Sequence, residues 1–477
     1  MGFEIERKFR LDSSQILQRL MQEGLQLTCK ELEQIYTKIS PDKTVRFRYD
    51  GDKIVKTIKK GTGLVRQEDE EEVFEEEYKK ARKRALGVSI KKKRYSFNLQ
   101  NFKACIDCFE DSLEGLVFLE VEFPTESEAN AFKLPPAFEA VEVTDDPFYS
   151  NAMLALYGWP KEPKSVKVLF EAIEQDQFQI EDINAHMSAY DAFRTLFYWF
   201  YTNIKRHKQL YLQTQDNEAL HQFRVNLRKT RSLLQVVPNL LDPAITKRFI
   251  DGFKQLASKT NTKRDLDVFK EYLEANPARI HLDFHISKNR AHEDEVLTSL
   301  LTSKATDSFF NEWQMVIEDW EGFFQGHNAS LPFKALAAMA ILIEIEALIA
   351  KLKRLNEASA LKRFHKIRIE FKRLRYLLEI SEHLFATKAL KKAIKKAKVM
   401  QELFGTLQDR DIQRSVLRDF EDEPILSEDV EAVAAIEELL VQINNEIYGL
   451  KTEILCKKKK LIKRLKKCIG ILEPYKI

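Results

Sequence analysis

Glu4-Ile5-Glu6-Arg7-Lys8 sets two carboxylates and an ammonium at alternate positions of one short run. In an extended strand residues two apart share a face, so Glu4, Glu6 and Lys8 point one way and are framed by Phe3, Ile5 and Phe9. Hard cations such as Mg²⁺ or Mn²⁺ take oxygen ligands and are held by one or two carboxylates plus substrate phosphates, while a nearby lysine neutralises a phosphate oxygen. The same pattern also serves as a charged edge strand that resists aggregation, so the run alone leaves both readings open.

The pattern recurs along the first third of the chain. Arg46 and Arg48 share a face, as do Thr57 and Lys59, then Arg66, Glu68 and Glu70, then Lys92 and Arg94, and finally Glu120 and Glu122. Converging faces of this kind cannot enclose a dry core, because an unpaired buried charge loses on the order of several kcal/mol of hydration. A hydrated cavity filled by a polyanion and metal ions removes the conflict.

A second constellation lies further on and is duplicated. His221-Gln222-Phe223-Arg224-Val225-Asn226-Leu227-Arg228-Lys229-Thr230-Arg231 aligns with His365-Lys366-Ile367-Arg368-Ile369-Glu370-Phe371-Lys372-Arg373-Leu374-Arg375 at an offset of 144. Lys254 matches Lys398, and Asp265 and Asp267 match Asp409 and Asp411, at the same offset. Positions i, i+3, i+7 and i+10 fall on one helical stripe. His221, Arg224, Arg228 and Arg231 therefore form one basic ridge, and His365, Arg368, Lys372 and Arg375 a second. Arginine offers planar forks to phosphate oxygens and histidine a pH-sensitive donor, so paired ridges suit a polyanion with closely spaced phosphates. A repeat including the rare histidine is hard to reconcile with an ordinary solvated helix face.

Positioning these groups requires two kinds of architecture. Up to about residue 158 the sequence reads as strands at 3–10, 32–39, 43–49, 53–60, 64–73, 89–97, 102–109 and 116–123, with helices at Ser13–Glu23, Phe74–Leu86 and Ser127–Ala131. Strands in succession without long crossovers favour an antiparallel sheet, closed or open. Residues 159–183, with Pro160 and Pro163, read as a linker, and 184–477 as long amphipathic helices. The chain is thus expected to be an α+β multidomain protein.

Bulk properties narrow the function classes. The 477 residues are 44% hydrophobic, enough for more than one core. No apolar run reaches the roughly eighteen residues of a membrane span, and the N-terminus opens on charged strand-like sequence, so a cytoplasmic location without membrane partners is expected. Five scattered cysteines fit reduced thiols, and Cys105-Ile106-Asp107-Cys108 has neither a second pair nor a histidine cluster beside it. The net charge of +3 divides into 25 basic against 29 acidic residues over 1–160 and 52 against 45 over 161–477. Placement of charge, more than its sum, carries the argument.

Taken in order, Glu4-Ile5-Glu6-Arg7-Lys8, Arg46-Phe47-Arg48, Thr57-Ile58-Lys59, Arg66-Gln67-Glu68, Lys92-Lys93-Arg94, Asp107 and Glu120-Val121-Glu122 resemble the CYTH family of triphosphate tunnel metalloenzymes over residues 1–158. The resemblance implies an eight-stranded antiparallel β tunnel. In it Lys8, Arg46, Arg48, Lys59, Lys92 and Arg94 contact phosphate, and Glu4, Glu6, Glu120 and Glu122 hold Mg²⁺ or Mn²⁺, with Glu68, Glu70 and Asp107 as further metal candidates. The implied chemistry is metal-assisted phosphoryl transfer from tripolyphosphate to water, with no side-chain nucleophile. One departure stands out: Phe148 occupies a late position where a basic tunnel residue is expected.

The duplicated helices are similar to the CHAD family, the conserved-histidine α-helical domain, over residues 184–477. That resemblance implies two pseudo-symmetric four-helix bundles around a basic groove for inorganic polyphosphate, with Lys254, Arg373 and Lys398 joining the two ridges and an association with polyphosphate granules. The combined expectation is an inorganic triphosphatase carrying a polyphosphate-binding module. The alternatives are a polyphosphate-binding scaffold without catalysis, an adenylate cyclase, or a hydrolase of an organic triphosphate such as thiamine triphosphate. Nucleic acid fits less well: base stacking wants exposed aromatics, and between His221 and Arg231 there is only Phe223.

Overall fold

Alternation of charged and apolar side chains makes the N-terminal segments strands and decides which face each side chain takes. A computed structural model describes the chain outside residues 1–4, 13–14, 23, 25, 41–42, 61–66, 161, 275–278, 386–387, 422–429 and 477. It folds as two units, one running to Glu162 and the other from Pro163 to Lys476.

The first unit is an antiparallel sheet of β1 (Ile5–Leu11), β2 (Thr28–Ser40), β3 (Lys43–Tyr49), β4 (Ile54–Lys60), β5 (Gln67–Glu72), β6 (Leu86–Leu99), β7 (Phe102–Phe109), β8 (Val117–Phe123) and β9 (Ala140–Glu142). Hydrogen bonding runs in the order β5-β4-β3-β2-β6-β7-β8-β1-β9. The sheet has nine strands where eight were expected, and β9 is too short to show alternation. Among the described residues β5 and β9 are the two ends of this order, and no ladder joins them.

On β1 and β8 the faces separate cleanly. Phe9, Leu11, Leu119, Val121 and Phe123 enter an apolar cluster with Ile106, Phe132 and the buried residues of α1 (Gln15–Gln22), while Glu6, Lys8, Glu120 and Glu122 line a cavity on the other side. Arg7, on the core side, donates to both oxygens of Glu142 at 2.8 and 2.6 Å and to the carbonyls of Ala129 and Phe132 at 2.8 Å. One guanidinium thereby ties β1 to β9 and to the end of α3 (Glu126–Ala131).

Two further helices complete the unit: α2 (Glu75–Arg82), and α4 (Asn151–Tyr157), which packs on β2 and β6. Close approach of α4 requires Gly87, at φ +67°, where a Cβ would fall 1.9 Å from the Ala155 carbonyl oxygen. Positive φ alone costs a non-glycine residue roughly 1–2 kcal/mol, and a backbone clash adds to it. Gly87→Ala is therefore expected to lower the unfolding free energy by at least that amount. An unchanged midpoint in chemical denaturation would contradict this account of the α4 contact.

The second unit is all helical: α5 (Val166–Glu174), α6 (Ala189–Thr214), α7 (Asn217–Val236), α8 (Pro243–Lys259), α9 (Asn261–Leu273), α10 (Arg279–Leu301), α11 (Lys304–Ile317), α12 (Phe333–Arg354), α13 (Leu361–Ser381), α14 (Lys388–Glu421) and α15 (Val430–Leu472). Within the stretch 159–183, α5 buries Leu169, Phe170 and Ile173 and packs on α6. Side-chain caps set several starts: Ser188 accepts from the Asp191 amide at 3.1 Å, and Asp216 from Ala219 at 2.8 Å. The sequence duplication is also a structural one, since α12 and α13 each begin 144 residues after α6 and α7. Among the described residues no helix is long and apolar enough to cross a membrane.

Candidate functional site

Strand register brings the charges of the first unit together. Lys8 on β1 lies opposite Glu120 on β8, and Glu6 opposite Glu122. Arg94 on β6 faces Asp107 on β7, and Thr57 on β4 lies between Arg46 on β3 and Glu70 on β5. The result is a cavity of about 540 Å³ lined by six cations, Lys8, Arg46, Arg48, Lys59, Lys92 and Arg94, and four carboxylates, Glu6, Glu70, Glu120 and Glu122. Of the remaining acidic candidates, Asp107 sits fully buried, Glu4 lies outside the described residues, and Glu68 is described by its backbone alone, opposite Lys59.

Ion pairs hold the inner wall. Lys92 Nζ reaches Asp107 Oδ2 at 2.5 Å, while Arg94 grips both Asp107 oxygens at 2.7 Å and Glu120 at 2.6 Å. Lys8 Nζ completes the row at 3.0 Å from Glu120. Burial alone pulls the Lys8 ammonium down, yet Glu120 and Glu6 carry it above its ordinary value. Burial likewise pushes Glu120 up, and Lys8, Lys92 and Arg94 overcome it, leaving the carboxyl well below the usual range. These groups stay charged, and a buried pair of this sort is costly to break from one side only.

The opposite wall is less compensated. Arg46 lies 3.6 Å from Glu70 and donates to Thr57 Oγ1 at 3.0 Å, and Thr57 in turn donates to Glu70 at 2.8 Å. Arg48 has no ion-pair partner among the described residues, and burial together with neighbouring Arg46 lowers its pKa. Such a guanidinium gains most from an anion placed beside it.

Two groups of carboxylates differ in their fitness for a metal. Cys105 Sγ and oxygens of Asp107 and Glu120 lie within 4.8 Å of one another, but Lys8, Lys92 and Arg94 already occupy those oxygens. Burial moreover pushes the Cys105 thiol up, away from the thiolate a metal needs. Glu6 and Glu122 instead stand opposite each other on the cavity wall, where two like charges directly opposed gain from a cation shared between them. Their all-oxygen donor set fits a hard divalent ion.

Several cavity residues carried no signal in the charge pattern. Gln34 on β2 is 1% exposed, lines the cavity and leaves its Nε2 without a partner, and Asn151 at the start of α4 leaves its Oδ1 likewise. Ser150 caps α4 by accepting from the Met153 amide at 3.3 Å and lines the same wall. Phe148, where a basic residue was expected, packs edge-on against Tyr157 with ring centroids 5.5 Å apart.

In the second unit α7 packs on α13, and the two ridges meet. Arg228 Nε donates to the buried Tyr376 hydroxyl at 2.8 Å across that contact, and Arg373 to Gln235 at 2.8 Å. Arg224 donates to the Ala257 carbonyl at 3.2 Å, to Thr260 and to Asn261 at 2.9 Å, fixing α7 to the junction of α8 and α9. His365 hydrogen-bonds Gln408 on α14, next to Asp409, which lies 3.8 Å from Arg368. Arg375 pairs with Glu379 at 3.3 Å.

Crowding of like charges marks this face. Burial and neighbouring Arg228 bring Arg224 down to about 10, and burial with Arg228 and Arg368 brings Lys372 down to about 6. Burial, with Arg228 and Arg373, also lowers Arg231, and burial and Arg264 lower His221. The Nε atoms of Arg231, Arg368 and Arg373 are buried without hydrogen-bond partners. Lys254 and Lys398 stand apart, exposed on α8 and α14.

Comparison with known proteins agrees with both halves. Residues 2–139 match the CYTH domain family and residues 200–418 the CHAD domain family. Over 155 residues the chain is 34% identical to an inorganic triphosphatase of Nitrosomonas europaea, a match covering 32% of this chain and 97% of that protein. Over 156 residues it is 35% identical to an inorganic triphosphatase of Acetivibrio thermocellus, covering 32% of this chain and 94% of the relative. The crystal structure of the CHAD domain from the plant Ricinus communis is 20% identical over 58% of this chain and 93% of that one, with a TM-score of 0.49.

Proposed function

The chain belongs to the CYTH family through its N-terminal unit and carries a CHAD domain behind it, and on that footing we propose that it is an inorganic triphosphatase joined to a polyphosphate-binding module. The N-terminal sheet would curl into the triphosphate tunnel, and the helical unit would form two pseudo-symmetric four-helix bundles. The observation that carries the enzymatic reading is the convergence of six cations on one cavity, with Arg48 left uncompensated on one wall and Glu6 facing Glu122 on another. Such a site takes a ligand bearing several negative charges in a short length.

Each group then has a task. Arg46, Arg48 and Lys59 bind phosphate oxygens from the β3–β4 wall, and Lys8, Lys92 and Arg94 do so from the ion-paired wall. Asp107 positions Lys92 and Arg94, since it grips both and is itself fully buried. Glu6 and Glu122 would hold Mg²⁺ or Mn²⁺, with Glu120 joining them by exchanging a cation partner. A divalent ion bound there supplies Lewis-acid stabilisation of phosphate charge and a more acidic water. The basic residues stabilise charge on the equatorial oxygens of the transferred group, and no covalent intermediate on the protein is required.

The test is a metal-dependent hydrolysis panel of tripolyphosphate, ATP, thiamine triphosphate and long-chain polyphosphate, with cyclic AMP monitored. Preferential phosphate release from tripolyphosphate is expected. Faster turnover of either organic triphosphate, formation of cyclic AMP, or no hydrolysis at all would overturn the assignment.

The helical unit adds a pH-dependent expectation. Arg228 from α7, Arg368 and Arg375 from α13 and Asp409 from α14 surround Lys372, which is largely neutral above about pH 6 in the free protein. A bound phosphate restores its charge, so binding takes up a proton. Affinity for long-chain polyphosphate should therefore fall as pH rises from about 6, by up to roughly tenfold per pH unit. Lys372→Arg should flatten the profile between pH 6.5 and 8.5. His221, also lowered by burial and by Arg264, would take up a proton by the same rule, so both profiles are compared in a His221→Asn background. An equally steep profile in the variant would remove Lys372 from the site.

A further inference from the structure

The hairpin of α14 and α15 carries a charge pattern that neither the cavity nor the α7–α13 ridges use. Residues 388–398 hold six lysines and residues 457–467 seven lysines and one arginine, with no acidic residue in either segment. The chain as a whole has 77 basic against 74 acidic residues, so fourteen cations without a carboxylate is a sharp local departure. The two helices pack together with eight residues between them, which makes them antiparallel. Arg410 bonds Glu446 and Arg414 bonds Asn444 across the pair, a register that sets the lysines at 391–396 beside the basic stretch 460–467.

Packing uses few of these charges: Lys458 donates to the Leu355 carbonyl and Lys457 pairs with Glu453. Leu390, Ala393, Ile394, Ala397 and Met400 on α14, and Ile454, Leu461, Leu465 and Cys468 on α15, form the buried seam, while Lys391, Lys392, Lys395, Lys396 and Lys398 are exposed on the other side. The duplication supplies an internal control. At an offset of 144, α8 has Asp251 and Gly252 where α14 has Lys395 and Lys396, and Arg248 of α8 pairs with Glu312. The counterpart of 457–467 is 313–323, which holds Glu318, Asp319 and Glu321 and no cation. Lys247, Arg248 and Lys254 keep three of the six α14 positions basic, so the control bears on Lys395, Lys396 and the whole 457–467 segment: the repeat forms without those charges in its first copy.

We infer that the exposed lysines of the α14–α15 hairpin form a second anion track, separate from the α7–α13 ridges, that takes a distal stretch of a long inorganic polyphosphate chain. The inference rests on the reading that the ridges bind polyphosphate. Lysine is a strongly hydrated point charge on a flexible stem, suited to a phosphate polymer without sequence or shape to read. Neither lysine-rich segment contains an exposed large hydrophobic or aromatic residue among the described residues, so the apolar anchors of a membrane-binding helix and the stacking surface for nucleic-acid bases are both missing. One helix carries both sites: Asp409, beside Arg368, is thirteen residues from Lys396 on α14, roughly 20 Å along the axis. A short oligophosphate cannot bridge that span, whereas a long chain can engage both sites and gain avidity.

The test uses the full-length protein carrying Lys391→Gln, Lys392→Gln, Lys395→Gln and Lys396→Gln together. Binding of a short oligophosphate and of long-chain polyphosphate is measured against salt, with the ridge variant of Arg224, Arg228, Arg368 and Lys372 to Ala alongside. Long-chain affinity should drop at least tenfold and the slope of log affinity against log salt by about 3, at roughly 0.7 per lost contact, while short-chain affinity changes less than about twofold. Unchanged long-chain binding would overturn the second track, as would equal loss of both lengths. Loss of single-stranded RNA or of anionic phosphatidylserine vesicles, with polyphosphate unaffected, would overturn the choice of ligand. Full binding by the ridge variant would instead sink the underlying reading and leave the effect of the lysines to be scored by itself.

Discussion

Glu6→Gln combined with Glu122→Gln should reduce metal-dependent phosphate release from tripolyphosphate by roughly 10²–10³-fold, because coordination of a divalent ion contributes several kcal/mol of transition-state stabilisation. The two carboxylates face each other across the β1–β8 ladder, and neither belongs to the Lys8–Glu120, Lys92–Asp107 or Arg94–Glu120 pair. Stability offers an internal control: Glu6 lends support to Lys8 and Glu122 lies opposite Lys103, so the metal-free double variant should lose no more than about 1 kcal/mol. Glu120→Gln should cost far more. It strips the partner from buried Lys8 and one partner from Arg94, and orphaning a buried charge costs about 3–5 kcal/mol. The measurements are phosphate release at saturating Mg²⁺ and thermal unfolding in chelator. Retention of more than about a tenth of the activity by the double variant would remove Glu6 and Glu122 from the metal site.

Replacing Arg224, Arg228, Arg368 and Lys372 by alanine should weaken retention of long-chain polyphosphate by roughly 10³-fold, taking hydrogen bonds to charged groups at about 1.5–3 kcal/mol each and allowing for non-additivity. The same variant should hydrolyse tripolyphosphate at the parental rate, since the cavity residues all belong to the other unit. Arg224 also anchors α7 through Ala257, Thr260 and Asn261, so some loss of stability is expected. Arg228→Gln with Lys372→Gln leaves that anchor in place and should still cost at least tenfold. Parental retention on a polyphosphate matrix by this second variant would discard the ridge assignment even if the quadruple variant unfolds.

Much of this arrangement could be read in the sequence because period-two alternation specifies faces without any knowledge of pairing. Glu6 and Lys8 are separated from Phe9 and Leu11 by that rule alone, and the ridge of His365, Arg368, Lys372 and Arg375 by the helical equivalent. What escaped depends on register or on neutral atoms. Asp107 was a metal candidate by position, but its grip on Lys92 and Arg94 emerges only when β6 pairs with β7. Arg7, between Glu6 and Lys8, carried no reading of its own, yet it fastens β9, a strand of three residues with no pattern to detect. Gln34 and Asn151 are amides without charge, and Tyr376 resembles any core aromatic until its hydroxyl meets Arg228. Three residues along β7 send the two CxxC thiols to opposite faces, Cys105 against Glu120 and Cys108 onto the apolar cluster, which their spacing alone did not say.

The strand order has a consequence for biosynthesis. β1 carries Glu6 and Lys8, leaves the ribosome ahead of the other strands of its sheet, and finds its hydrogen-bonding partners in β8 and β9, with Ile5 opposite Phe123 and Leu11 opposite Ala140. Until those later strands are translated, a segment rich in charge waits with both edges unpaired. Such high contact order slows folding and lengthens exposure to misassembly. Its alternating glutamates, arginines and lysines then act as a temporary solubiliser of the nascent chain, deferring docking until the whole sheet exists. The earliest strand of this sheet thus waits for its late partners, and the same charges that wait in water come to line the finished cavity.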